Sequence, residues 1–121
     1  MKQDIQSEDD IKLLVNSFYT HVRKDALLAP VFRKWIGENW DKHLPRMYTF
    51  WSNVLFHTGG YRGNPMIVHQ HIHQQHPLTK AAFDRWLKHW EETVRELFEG
   101  PNAENIIARA SNIAFFMQQK L

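Results

Sequence analysis

The sequence predicts an all-α fold: one domain, 1–121, of about five or six helices packed in two layers. Three observations carry that expectation. Apolar residues recur at helical spacing over long stretches, no stretch alternates with period two for long enough to make a strand, and Pro or Gly falls at the joints between the stretches. With 121 residues, 43% of them hydrophobic and 13% aromatic, the chain has apolar mass to line a cavity as well as to fill a core.

Residues 1–6 are mostly polar and read as a flexible N-terminal tail. Ser7-Glu8-Asp9-Asp10 resembles a capping box with Asp in the Glu position. Ile11, Leu14, Val15, Phe18, Tyr19 and Val22 then form the buried stripe of a first helix. Tyr19 on that stripe needs a polar partner inside the protein. That partner is either a backbone carbonyl or, in a functional reading, a bound ligand. Ala29-Pro30 opens a short helix, with Phe32, Trp35 and Ile36 on its apolar side, and Gly37 closes it.

A third helix is expected from about Trp40 to about His57, starting late or kinking at Pro45. Leu44, Met47, Phe50 or Trp51, Val54 and Leu55 make its apolar face, and His43 lies one turn before Met47. Gly59-Gly60-Tyr61-Arg62-Gly63 is a loop. Asn64 and Pro65 read as the cap and first residue of a fourth helix that Pro77 stops. Thr79 caps a fifth, with Phe83, Trp86, Leu87, Trp90, Val94, Leu97 and Phe98 as its stripe. Gly100-Pro101 ends it, and Asn102 is expected to cap a last helix with Ile106, Ala110, Ile113, Ala114 and Met117 facing inward.

Composition excludes several functions. The formal charge is +2, from Lys and Arg that are scattered rather than clustered, so nucleic acid is not an expected partner. Cys is absent, which removes disulfides, thiolate metal sites and Cys nucleophiles and is compatible with a cytoplasmic location. No signal peptide is visible and no apolar run approaches membrane-spanning length, so no membrane partner is expected. There is no phosphate-binding Gly-rich loop, dinucleotide fingerprint or His-Glu-x-x-His, and the carboxylates are spread over outer helix faces.

Half of the 8 His fall between His69 and His76. His69, His73 and His76 share one face of the fourth helix at i, i+4 and i+7, while His71 points elsewhere. Three readings stand side by side: a polar surface helix, a zinc site made by the three, or a single axial imidazole for haem iron. Zinc in a catalytic role wants a supporting carboxylate, and none is nearby in the sequence. Spacing alone does not choose among them.

Five segments, in order along nearly the whole chain, carry a resemblance. They are Phe18-Tyr19-x-x-Val22-Arg23-x-Asp25 through Pro30-Val31-Phe32; His43-Leu44-Pro45-Arg46-Met47-x-x-Phe50-Trp51; Tyr61-Arg62-Gly63-Asn64-Pro65-Met66-x-x-His69; Phe83-Asp84-Arg85-Trp86-Leu87; and Phe98-x-Gly100-Pro101-x-Ala103-Glu104 with Arg109-Ala110. In these the chain resembles a truncated haemoglobin of the third group. The resemblance implies a shortened globin fold in which two antiparallel helix pairs sandwich haem b. It implies His69 as the proximal iron ligand, and Tyr19, His43 and Trp86 as polar residues of the distal pocket. It also makes Phe18, Phe32, Met47, Phe50, Trp51 and Phe83 apolar neighbours of the haem. The run from Gln70 to Pro77 departs from the family's mostly apolar pattern, and so offers a second candidate iron ligand, a more solvated pocket edge or a surface metal site.

The function implied is reversible binding of O2, and of NO or CO, by a cytoplasmic and monomeric haem protein. The enzymatic alternative is nitric oxide dioxygenation or a peroxidase-like reaction served by an unidentified reductase. The alternative without haem is a helical zinc-binding or interaction domain.

Overall fold

A computed structural model describes residues 2–60, 63–75 and 77–121. Among them are six helices and no strand: α1 (Glu8–Val22), α2 (Ala29–Trp35), α3 (Trp40–Phe56), α4 (Pro65–Gln75), α5 (Lys80–Leu97) and α6 (Pro101–Lys120). α1 packs on α3 and on α5, and α6 packs on α5, α3 and α4, so the chain forms the expected two layers. No helix among the described residues is long and apolar enough to cross a membrane.

The α1 stripe is buried as its spacing requires, from Ile11 to Val22. Its start is fixed locally: the Ser7 hydroxyl accepts from the Asp10 N–H at 3.3 Å, and the Asp10 carboxylate accepts from the Gln6 N–H at 2.8 Å. At the centre of the core, Trp90 of α5 stacks on Trp51 of α3 with ring centroids 4.1 Å apart, and meets Phe18 of α1 edge-on at 5.0 Å. Its indole N–H donates to the Ile106 carbonyl of α6 at 3.4 Å, so one side chain ties four helices together.

α3 does not start late at Pro45. It begins at Trp40, and the Asn39 carbonyl accepts from both Lys42 (3.1 Å) and His43 (3.0 Å). This first turn is complete before Pro45 withholds its N–H. The helix closes on His57, the one described non-Gly residue with positive φ (57°). Thr79 caps α5 as expected, accepting from Ala82 N–H at 3.1 Å.

Two expectations at the chain's joints are corrected. The segment read as a flexible tail is docked: Ile5 is fully buried, and Gln3 accepts from the Glu99 N–H at 2.9 Å. Nor does Asn102 cap α6, which already begins at Pro101. The cap comes from Asp4, whose carboxylate accepts from the Asn102 and Ala103 N–H groups at 2.9 Å each. A carboxylate at a helix N-terminus meets both the free N–H groups and the positive end of the helix dipole. The Asn102 side chain instead donates to the Ile5 carbonyl at 2.7 Å, pinning the segment from the other side.

Gly100 makes that approach possible. Its φ is +143°, and a Cβ placed there would meet the Asp4 side chain at 2.6 Å. Gly100→Ala is therefore expected to cost about 1–3 kcal/mol through backbone strain, with the displaced cap adding to it. Thermal unfolding should show a Tm lower by roughly 5–10 °C. An unchanged Tm would mean that the Asp4 contact contributes nothing.

Candidate functional site

Tyr19 is 6% exposed, near the C-terminal end of α1. Around its ring stand Phe18 (5.0 Å between centroids), Phe32 of α2 (5.7 Å), and Trp40 (5.1 Å) and His43 (5.4 Å) of α3. Its hydroxyl lies 3.1 Å from His43 Nε2, so its partner is a side chain on the opposing helix rather than a backbone carbonyl. Burial pushes the Tyr19 phenol well above its ordinary range, so the hydroxyl keeps its proton. Burial, and then the nearby Arg46 charge, push His43 down to about 4. The pair is thus a protonated phenol facing a neutral imidazole, each able to donate or to accept.

Trp86 is half-buried on α5 and reaches the same cluster through Phe18, which it meets edge-on at 5.6 Å. It also lies over Trp51 at 6.2 Å and Trp90 at 6.0 Å. Its indole N–H has no hydrogen-bond partner among the described residues. Phe18 and Trp51 are core residues that wall this cluster, and Phe32, Met47 and Phe50 are half-buried against the same core. Phe83 is the exception. It is buried in a second cluster with Ala114 and Met117, packed against Met66 of α4. It therefore meets α4 through Met66.

His69 is half-buried on the α4 helix, whose first turn is set by Asn64: its side chain accepts from the Ile67 N–H at 3.2 Å. His69 Nδ1 donates to the Pro65 carbonyl at 2.6 Å. That bond fixes the ring and, in the neutral tautomer, leaves the lone pair on Nε2, for which no partner exists among the described residues. The other His differ. His71 is exposed, and His73 Nδ1 accepts from the Leu78 N–H at 2.9 Å, ending the helix. His76 lies outside the described residues. Among the described residues no group of three His, Asp or Glu is placed to hold a metal ion.

The arrangement fits a haem. His69 offers an imidazole nitrogen, oriented by the Pro65 carbonyl as a ligating imidazole is by its second hydrogen bond. α4 buries none of its residues although it carries Met66, Ile67, Val68 and Ile72, and Val68, beside His69, is 52% exposed. α3 and α4 both lean on α6 and have no comparable interface with each other. The apolar face of α3 (Met47, Phe50, Val54) and that of α4 are thus the surfaces a flat apolar group would cover.

Several residues of this neighbourhood were given no role from the sequence. Trp40 forms one wall of the Tyr19 cluster, and the Arg23 guanidinium lies over its ring at 4.7 Å. Trp40 was legible only as the start of a helix. The buried Asp25 meets Arg85 and His89 in a cluster that joins the turn after α1 to α5. No local signal marks that cluster, because Asp25 lies 60 and 64 positions from its two side-chain partners.

Comparison with known proteins agrees with this geometry. Residues 3–119 match the bacterial-like globin family. The chain is 32% identical to the group 3 truncated hemoglobin ctb of Campylobacter jejuni, over all of this chain and 95% of that one. It superposes on the crystal structure of a group III truncated hemoglobin from Campylobacter jejuni with a TM-score of 0.89 and 32% identity, covering 98% of this chain and 94% of the other. A two-layer helical fold and a full-length match of this kind place the chain among the truncated haemoglobins of the third group, a family of haem-containing, gas-binding globins.

Proposed function

We propose that this chain is a haem b protein that reversibly binds O2 and other diatomic gases such as NO and CO. His69 is its iron ligand, and Tyr19, His43 and Trp86 line its gas pocket. The observation that carries the reading is the hydrogen bond from His69 Nδ1 to the Pro65 carbonyl, which frees Nε2. When bound, haem supplies a ferrous iron with one position open to a diatomic gas.

The chain's own residues do the rest. Pro65 fixes the helix start and, through its carbonyl, the plane of the His69 ring. Phe18, Phe32 and Trp40 exclude water from around the Tyr19 hydroxyl, which raises the worth of any hydrogen bond made there. Tyr19 and Trp86 offer an O–H and an N–H to a ligand that gains negative charge on binding. His43 already pairs with the Tyr19 hydroxyl through Nε2, which supports a role in orienting that hydroxyl and gating the pocket rather than in ligating iron. Phe83 supports α4 and hence the position of His69. The reading extends to a cytoplasmic monomer kept ferrous by a separate reductase.

The absorption spectrum of the purified protein tests the proposal. A Soret band that sharpens and shifts on reduction and on adding CO is expected. A colourless protein carrying one zinc per chain would refute it and favour a site built on the α4 His residues.

A further inference from the structure

Asp25 sits in the turn between α1 and α2, with its side chain only 2% exposed. Its carboxylate accepts four hydrogen bonds: from the backbone N–H groups of Leu27 (2.7 Å) and Leu28 (3.2 Å), from Arg85 Nη1 (3.0 Å) and from His89 Nε2 (2.5 Å). Burial by itself would raise this carboxyl. The hydrogen bonds from His89, Leu27, Arg85 and Leu28 outweigh it and hold the group far below the ordinary carboxylate range. Asp25 is therefore a fixed anion.

Its two side-chain partners are one turn apart on α5, and Trp86 lies between them, directly after Arg85. On the other side, the Asp25 N–H bonds the Val22 carbonyl at 3.0 Å, continuing the last turn of the helix that carries Tyr19. The carboxylate thus joins the helix bearing one proposed gas-pocket donor to the helix bearing the other. Among the described residues Trp86 makes no hydrogen bond and has ring contacts with Phe18, Trp51 and Trp90. Ring contacts fix distance better than they fix rotation, and a small turn of α5 about its axis would re-aim the indole N–H. His89 is also held from outside: His21 stacks on it (6.4 Å, 5° between planes), and Glu96 faces His21 at 3.7 Å.

We infer that Asp25 is a positioning residue: by clamping Arg85 and His89 it sets the rotation of α5, and so the direction of the Trp86 indole N–H relative to the Tyr19 hydroxyl. The inference rests on the gas-pocket reading for its consequence, but not for its geometry.

Two readouts separate the two. In the protein as purified, the Trp86 indole N–H resonance, assigned by its loss in Trp86→Phe, should shift by more than its linewidth in Asp25→Asn. The Trp35 indole, on the surface of α2, should stay in place. In the haem-loaded protein, Asp25→Asn should speed O2 dissociation by about threefold to tenfold, the share of one misaimed hydrogen bond. That effect should vanish when Asp25→Asn is combined with Trp86→Phe.

Should Asp25→Asn fail to fold, His89→Leu removes one arm of the clamp and should reproduce both effects. His89→Gln, whose amide can donate, should restore them toward the parent. An unmoved indole resonance in the folded variant, or an O2 effect of equal size with and without Trp86, overturns the inference. A protein that takes up no haem overturns the gas-binding reading but leaves the indole test intact.

Discussion

His69→Ala is expected to abolish stable haem binding, leaving either no Soret band or a weak, altered one. The structure orients this imidazole and leaves its lone pair free: Nδ1 is spent on the Pro65 carbonyl and Nε2 has no partner among the described residues, whereas the neutral His73 ring accepts at Nδ1 and so carries its proton on Nε2. Losing a group that merely supports a metal ligand costs about 10–100-fold in affinity, so losing the ligand should exceed that. Haem titration of the apoprotein measures it.

The neighbours provide the controls. His71 is exposed, and His71→Ala should leave the spectrum unchanged. His73→Ala removes the acceptor for the Leu78 N–H, so it should loosen the end of α4 and lower stability while keeping the haem. Loss of haem in His73→Ala with retention in His69→Ala would place the iron ligand one turn further along.

Tyr19→Phe should keep the fold and speed O2 dissociation roughly tenfold to a hundredfold. That is the range set by one hydrogen bond to a charge-bearing partner, on the order of 1.5–3 kcal/mol. The ring volume is retained, so the contacts with Phe18, Phe32 and Trp40 should persist. The local change is that His43 Nε2 loses its partner. Trp86→Phe should act in the same direction if its N–H shares the task. Stopped-flow displacement of O2 by CO reads both variants, and unchanged rates in both would put the polar contact to the gas elsewhere.

What the sequence disclosed follows from how far apart the interacting residues are. The stripes of α1 and α5 and the caps at Ser7, Asn64 and Thr79 are local, set by partners within a few residues. They fell where the spacing put them. Tyr19 was recognisable as a buried polar group in need of a partner, but which partner depended on packing α1 against α3. The α6 and α5 partners of Asp4 and Asp25 were not visible in the sequence: Asp4 caps a helix 98 residues on, and the local N–H groups of Leu27 and Leu28 that Asp25 also satisfies do not point to Arg85 and His89. Phe83 was placed by resemblance among the haem's neighbours, and the fold adds that it packs with Ala114 and Met117 against Met66 of α4, which spacing did not disclose.

The Asp4 contact also dictates an order of events during synthesis. Its N–H partners lie 98 and 99 residues further along, so the first turn of α6 emerges from the ribosome with its amides still bare. Closing a flexible loop of that length costs roughly 4 kcal/mol of chain entropy, more than one cap returns. The closure becomes favourable only after α1, α3 and α5 have condensed and shortened the span between the two segments. Ile5 then enters its place among residues already gathered, and the segment that carries Asp4 becomes ordered after the helices it joins. A nascent chain arrested before residue 102 should therefore expose its first seven residues to protease, while the finished chain shields them.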